Sequence, residues 1–259
     1  MIETPQSFVT RQECDKVAFQ NGFRRTHGET DGWRQYSSTT AQGSIWLARD
    51  ATDRWLLAID HGGVIEEIEI AGAAVEGPGF TRYAFTTLAE LYALMPRVYQ
   101  LAASLPDAPL AQFHAKVAGL STSTEAERLV VQRIGQDVFR SGLLGYWQGR
   151  CPLTGISDEP LLRASHIIPW KDCADDAERL DVHNGLLLSA LWDAAFDRGL
   201  VSFDDGGQPL FSPLLGERAL SELRWEQPVR LSDKHRTRLA WHREKLFQRT
   251  MGVVAELPT

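Results

Sequence analysis

Cysteine is scarce in these 259 residues: Cys14, Cys151 and Cys173 stand far apart, and no C-x-x-C pair exists. So thin a set cannot make a disulfide framework, and a four-ligand zinc knuckle has nothing to start from. Long apolar runs are also missing. None approaches the ~18 consecutive residues of a membrane span, and the opening MIETPQSFVT lacks a signal peptide's basic start and apolar stretch. The expectation is a cytoplasmic protein with no membrane partner. A basic excess is absent too: 27 Lys and Arg face 34 Asp and Glu, for a net charge of −7. Non-specific coating of nucleic acid relies on clustered Lys and Arg, so that class is disfavoured. A nuclease that reads DNA through local patches is not.

What is present is an ordinary globular composition, 43% apolar and 24% charged. The length suits one large domain or two modest ones. From Gly43 to Ile70 the pattern is β: SIWLARD, DRWLLAID and GGVIEEIEI, separated by the turn-formers Asp50-Ala51-Thr52-Asp53 and His61-Gly62-Gly63. A three-stranded antiparallel meander is the natural reading. Thr87 with Glu90 then forms a capping box ahead of Leu88, Leu91, Tyr92 and Met95 at helical spacing, and Pro96 is expected to kink or end that helix. Ser104 to Thr124 reads as a connection holding a short helix at Leu110 to Val117.

A second capping box, Thr124 with Glu127, opens a helix running to about Leu144, with apolar positions Leu129, Val130, Ile134 and Val138. Arg133, Gln136 and Arg140 share another face, either a solvated one or one suited to a nucleic-acid backbone. Aromatics and cations interleave at Phe23, Arg24, Arg25, His27, Trp33, Arg34 and Tyr36, which suits either a core or base stacking with phosphate contact. A basic run from Arg224 to Arg249 reads as a solvated helix face or a binding surface.

The chemistry concentrates in RCPLTGISDEPLLRASHIIPWKDCADDAERLDVHNGLLLSALWDAAFDRG, residues 150–199. His166 lies in a strand-like apolar run closed by Pro169, and Asn184 precedes a Gly and a second apolar run. Ala190 to Phe196 reads as a helix on which Asp193 and Asp197, at i and i+4, share one face. These are the parts of phosphodiester hydrolysis. A neutral imidazole can take a proton from water near neutrality. Carboxylates can hold a hard divalent cation against the phosphate, and an Asn amide can pin a loop or orient the imidazole. Cys151 reads as a buried packing residue and Cys173 as incidental. His183, next to Asn184, is a candidate second base that alternation points the opposite way, and His242 stays open between phosphate clamp and structure.

This segment resembles the HNH endonucleases, the ββα-metal nucleases, and more specifically is similar to bacterial restriction-type members with ASHIIPW, ERLDVxNGLLLS and a D-x-x-FD-x-G ending. The resemblance extends upstream over Arg133 to Gly155 and downstream to LAWHREKLF, Leu239 to Phe247, about half the chain. It implies His166 as general base, Asn184 as support for loop and base, Asp193 as a metal ligand and Asp197 as a second, lesser one. Arg163, Arg133 and Arg140 become candidates for the DNA backbone. Two positions depart from the family pattern: Ser165 stands where an acid or His often ligates the metal, and Asp193 stands in place of the third-motif His. This H-N-D variant favours Mg²⁺ or Mn²⁺ over Zn²⁺, with Asp172, Asp175 or Asp176 available as a substitute ligand.

The implied fold is α+β: an N-terminal β-meander plus helix domain, residues 1–118, that recognises target DNA, and a C-terminal ββα-metal nuclease domain with flanking helices, residues 119–259, with its core motif at 150–206. The implied function is metal-dependent DNA cleavage in restriction or defence against foreign or modified DNA, with no small-molecule cofactor. Symmetric cutting of both strands would imply a homodimer. The alternatives are a DNA-binding module that has lost cleavage and a secreted nuclease toxin.

Overall fold

The computed structural model describes residues 1–121 and 123–248; Arg249, the end of the basic run, lies outside them. The chain divides into two compact units, Met1–Ala111 and a second beginning at Gln112.

In the first unit Ser7 caps α1 (Phe8–Gln20) by accepting the Thr10 amide. Strands β1 (Arg25–Thr30) and β2 (Trp33–Ser37) follow, joined by Asp31-Gly32. These two residues have φ of 51° and 80°, the left-handed pair that a two-residue hairpin turn requires. The interleaved aromatic and cationic run is thus a hairpin, and its Asp-Gly turn was the signal for it. Strands β3 (Ser44–Arg49) and β4 (Trp55–Ile59) form where the alternation places them. The third expected strand does not: Gly62–Glu67 is a short helix, α2, capped by the His61 side chain. Val64 and Ile68, one helical turn apart, are the buried residues there, so the period is helical.

Strand β5 (Thr81–Phe85) takes the place beside β4, giving an antiparallel sheet in the order β1-β2-β3-β4-β5. The capping box at Thr87 and Glu90 opens α3 (Leu88–Ser104). Pro96 does not end it. Val98, Leu101 and Ala102 beyond the proline are buried, and their packing outweighs the one backbone hydrogen bond that proline removes. Helix α4 (Asp107–Val117) starts earlier than the spacing suggested, and the division between the units falls within it.

The second unit opens with α5 (Glu125–Tyr146), whose Thr124–Glu127 capping box is intact. Its buried stripe is Gly135, Val138, Phe139, Gly142, Leu143 and Tyr146. The expected core positions Leu129 and Val130 are instead 59% and 53% exposed, because only the later turns of α5 meet the strands that follow. Those are β6 (Leu162–His166) and, after α6 (Asp176–Leu180), β7 (Gly185–Ser189). They pair antiparallel from Leu162↔Ser189 to His166↔Gly185, and α7 (Ala190–Asp197) packs on both. This hairpin and helix make a ββα unit. A small hairpin, β8 (Val201–Phe203) and β9 (Pro209–Phe211), then α8 (Glu217–Glu222) and α9 (Asp233–Lys245), complete it.

The basic run on α9 is largely committed within this unit. Arg238 reaches Asp181 at 2.6 Å, and Arg243 reaches the Phe203 carbonyl and Asp205, each at 2.7 Å. Among the described residues no helix is long and apolar enough to cross a membrane.

The hairpin is seated on α5 through Gly185. A Cβ added there would lie 2.5 Å from Phe139 Cζ and 2.9 Å from Leu143 Cδ1. Gly185→Ala is therefore expected to destabilise the second unit by about 1–3 kcal/mol, the usual cost of overpacking. Urea unfolding followed by far-UV circular dichroism should show an earlier midpoint; an unchanged midpoint would contradict the close seating.

Candidate active site

His166 ends β6 and is half-buried. Its ring stacks on Phe139 of α5, with centroids 3.8 Å apart and planes 18° from parallel. The Trp170 ring approaches edge-on at 5.7 Å. Nε2 lies 2.9 Å from the carbonyl oxygen of Arg179. A carbonyl only accepts, so Nε2 carries the hydrogen, and in the neutral ring Nδ1 keeps its lone pair. Burial lowers the His166 pKa, and the bond to Arg179 only partly offsets that. The site thus holds a neutral imidazole in one tautomer with a basic nitrogen on Nδ1.

The acceptor is held in turn. Arg179 donates from Nε to the Trp170 carbonyl at 3.1 Å and from Nη1 to Asp176 at 2.8 Å. The loop between β6 and α6 is fastened by Asn184, which is fully buried. Its Oδ1 accepts the Ile168 amide at 2.9 Å, and its Nδ2 donates to the Ile168 carbonyl at 3.1 Å, with Cys173 Sγ and the Glu178 carbonyl each at 3.3 Å. The backbone adds a bond from the Ile167 amide to the Asn184 carbonyl. Asn184 therefore clamps the loop rather than touching the imidazole. Cys173, read as incidental, belongs to this clamp: burial first, then Glu178, pushes its thiol up to about 11, so it stays protonated and faces the Ile168 carbonyl.

On the neighbouring position of β6, Ser165 is buried and donates to Asp193 Oδ1 at 2.6 Å. The residue standing where the family often has a ligand thus fixes the carboxylate of α7. The helix itself is gripped from behind. Trp192 is buried and donates to the Arg224 carbonyl, while Phe196 lies flat against His242, 4.1 Å between centroids. Asp193 and Asp197, one turn apart, share a face. Loss of hydration first, and the Asp193 charge second, push Asp197 up to about 6, against the pull of Arg198.

Two carboxylates on one face, one reluctant to ionise beside the other, fit a hard divalent cation. Mg²⁺ is commonly bound by one or two carboxylates with water and phosphate oxygens completing its shell. Among the described residues no group of three or more His, Cys, Asp or Glu side chains forms such a site. Two of the substitute acids are occupied elsewhere, Asp175 in capping α6 and Asp176 in pairing with Arg179, while Asp172 is exposed.

The candidate backbone donors divide. Arg140 donates to the carbonyls of Leu162 and Glu159, at 2.9 and 3.1 Å, and so anchors the entry to β6. Arg163 is exposed and reaches the Pro160 and Leu162 carbonyls. Arg133 is exposed and carries no hydrogen bond or ion pair among the described residues. His183 is buried against Asp181 at 2.8 Å, and His242, buried between Ser202 and Phe196, is structural. Sequence reasoning missed Phe139, though Gly135, Phe139, Gly142 and Tyr146 form a helical stripe. It also missed the Arg179 carbonyl, which no side-chain pattern could reveal.

Residues 151–204 match the family described as HNH endonuclease, which places an HNH domain in the C-terminal half of this mixed helix-and-sheet chain. No curated protein matches the chain.

Removing the Asn184 amide should leave the Ile168 amide buried without a partner and the Ile168 carbonyl with only the Cys173 thiol. Asn184→Ala is expected to lower stability by about 1–3 kcal/mol, read as a lower urea midpoint; an unaltered midpoint would mean the clamp contributes nothing. His242 gives a pH-dependent counterpart. Burial, reinforced by Arg243 and only partly offset by the Phe196 carbonyl, lowers its pKa from 6.5 to about 4. Above the higher value both folded and unfolded chains are neutral there. As pH falls through the window, the unfolded chain takes up a proton that the folded chain refuses, so stability is lost on acidification. The slope is about 1.4 kcal/mol per pH unit and the total about 3 kcal/mol. In His242→Gln, melting temperature should fall less steeply with acid across that window; parallel slopes would contradict the assignment.

Proposed function

We propose that the C-terminal unit is a metal-dependent endonuclease that hydrolyses DNA phosphodiester bonds. The observation that carries this reading is His166: a neutral imidazole with Nε2–H fixed on a carbonyl and Nδ1 free, at the end of a strand whose preceding residue holds a carboxylate. His166 Nδ1 takes a proton from water as the water oxygen bonds to phosphorus. The bond from phosphorus to the 3′ oxygen breaks, that oxygen takes a proton from solvent, and a 5′-phosphate end remains. Asp193 and Asp197 would hold the cation, Mg²⁺ or Mn²⁺, and Ser165 keeps Asp193 in place. When bound, such an ion neutralises charge on the phosphate and on the departing oxygen. Arg133 and Arg163 are exposed donors suited to the DNA backbone.

The likeness of ASHIIPW and its companions to restriction-type members supports a role in restriction or defence against foreign DNA inside the cell, with a homodimer required for symmetric cutting. The second reading, a DNA-binding module without cleavage, is favoured by one observation: the donor set stops at two carboxylates. One experiment separates them. Plasmid DNA incubated with Mg²⁺ or Mn²⁺ should be nicked or linearised, and EDTA should abolish the reaction. His166→Ala should slow it by about 10²–10⁴-fold, the usual share of a general base, and Asp193→Ala should raise the metal concentration needed. Binding without cutting under every metal condition would establish the second reading.

A further inference from the structure

The sheet of the N-terminal unit shows different chemistry on its two faces. Helices α1 and α3 pack on one of them, which Arg34 and Tyr36 mark by reaching Asp15 of α1 at 2.8 and 2.7 Å. Successive side chains alternate, so Trp33, Gln35 and Ser37 turn the other way. Cross-strand pairing carries that second face across the sheet: Gln35 faces Trp46, Trp46 faces Ala58, and Ser37 faces both Arg25 and Ser44.

A cleft with a volume of about 750 Å³ opens on this second face, floored by Trp33, Gln35 and Trp46. The segment Ala74 to Pro78 forms one wall and the first residues of the chain another. The cleft is built into the fold. Trp33 is fixed in a packed cluster with Ala48, Leu56 and Ala58, and Trp46 and Val75 of the cleft lie against that cluster. Gly77 lies so close to Trp33 that an added Cβ would stand 2.6 Å from the indole.

We propose that this cleft receives one unpaired base of a nucleic acid strand; the choice of polymer rests on the nuclease reading of the C-terminal unit. Trp46 is half-buried and offers an aromatic surface, on which any base can stack. Gln35 supplies an amide whose Nε2 reaches Ser44 at 3.3 Å, leaving its carbonyl oxygen for a base edge. Asp31 and Glu76, both exposed, add acceptors at the rim for exocyclic amino groups. Arg25 is exposed on the same face and carries no hydrogen bond or ion pair among the described residues, which suits a phosphate. The strand running from Arg25 to the cleft is the edge strand β1, and a bulge between Thr26 and Glu29 breaks its ladder. That interruption disfavours a peptide added as a further strand. A sugar ring would also stack on Trp46 but would gain nothing from Arg25.

The full chain carrying His166→Ala, so that nothing is cut, is titrated while tryptophan fluorescence is read. The probes are a single-stranded oligodeoxynucleotide, a blunt duplex of the same sequence, a free deoxynucleoside monophosphate and a linear oligosaccharide. The single strand is expected to change the fluorescence and bind. Trp46→Leu should weaken that binding by about ten-fold or more, as one lost stacked base does. Gln35→Ala, a gentler change, should weaken it too and keeps the test valid if Trp46→Leu fails to melt cooperatively. Arg25→Ala should flatten the salt dependence. Duplex binding equal to the single strand identifies a base extruded from the helix; single-strand binding alone identifies one already unpaired.

Unchanged affinity in both Gln35→Ala and a folded Trp46→Leu would overturn the proposal. So would a free nucleotide binding as tightly as the oligonucleotide, or response to the oligosaccharide alone. Plasmid cleavage by the unsubstituted chain is scored separately. Its absence removes the nuclease reading and leaves the binding result standing. Its presence, with binding indifferent to the cleft variants, removes the cleft and leaves the nuclease.

Discussion

The hydrogen bond from His166 Nε2 to the Arg179 carbonyl decides what the imidazole can do, and much of the second unit serves to keep it. A His free to choose its tautomer would present either nitrogen to solvent. Here the carbonyl accepts one hydrogen, Phe139 lies flat beneath the ring and burial disfavours its charge. That carbonyl belongs to a short helix whose approach depends on the loop before it, and the loop is fastened by Asn184. The two residues that head the motif therefore act at different distances from the chemistry. In the proposed reaction His166 would meet the substrate, whereas Asn184 clamps the backbone of the loop.

The carboxylates follow the same economy of parts. Ser165, adjacent to His166, spends its hydroxyl on Asp193, so one strand end orients both the imidazole and the carboxylate proposed to hold a cation. Asp193 and Asp197 in turn ride on a helix held by Trp192 and Phe196. Asp197 holds its proton unusually well, first because it has lost hydration and second because Asp193 stands beside it on the same face. A divalent cation held by the two carboxylates, as proposed, would offset the charge that each brings to the other.

The parts of this arrangement that rest on periodicity and caps were legible in the sequence. Both Thr-x-x-Glu boxes cap the helices they were expected to cap, and the strand, strand and helix around His166, Asn184 and Asp193 fall at their expected places. Errors came where tertiary packing overrides a local rule. Pro96 lies inside a helix because buried residues continue beyond it. Residues 62–67 form a helix because their buried positions repeat at four, not two. Leu129 and Val130 are exposed because, among the described residues of this unit, the buried stripe of α5 lies in its later turns. The Arg179 carbonyl left no trace in the sequence, since every residue carries a carbonyl and only the fold selects one. The aromatic and cationic run near the N-terminus divided by strand alternation, with Arg34 and Tyr36 locked onto α1 and Arg25 left on the cleft face.

The most direct measurement is the tautomer of His166, read by long-range ¹H–¹⁵N correlation on uniformly labelled protein near neutral pH. The account requires hydrogen on Nε2 and a bare Nδ1, with the ring neutral and the pattern preserved as pH falls below the ordinary histidine range. In Asn184→Ala the same resonances should lose this definition as the loop is released. A hydrogen on Nδ1, or a fully protonated ring at neutrality, would contradict the account and leave the site without its base.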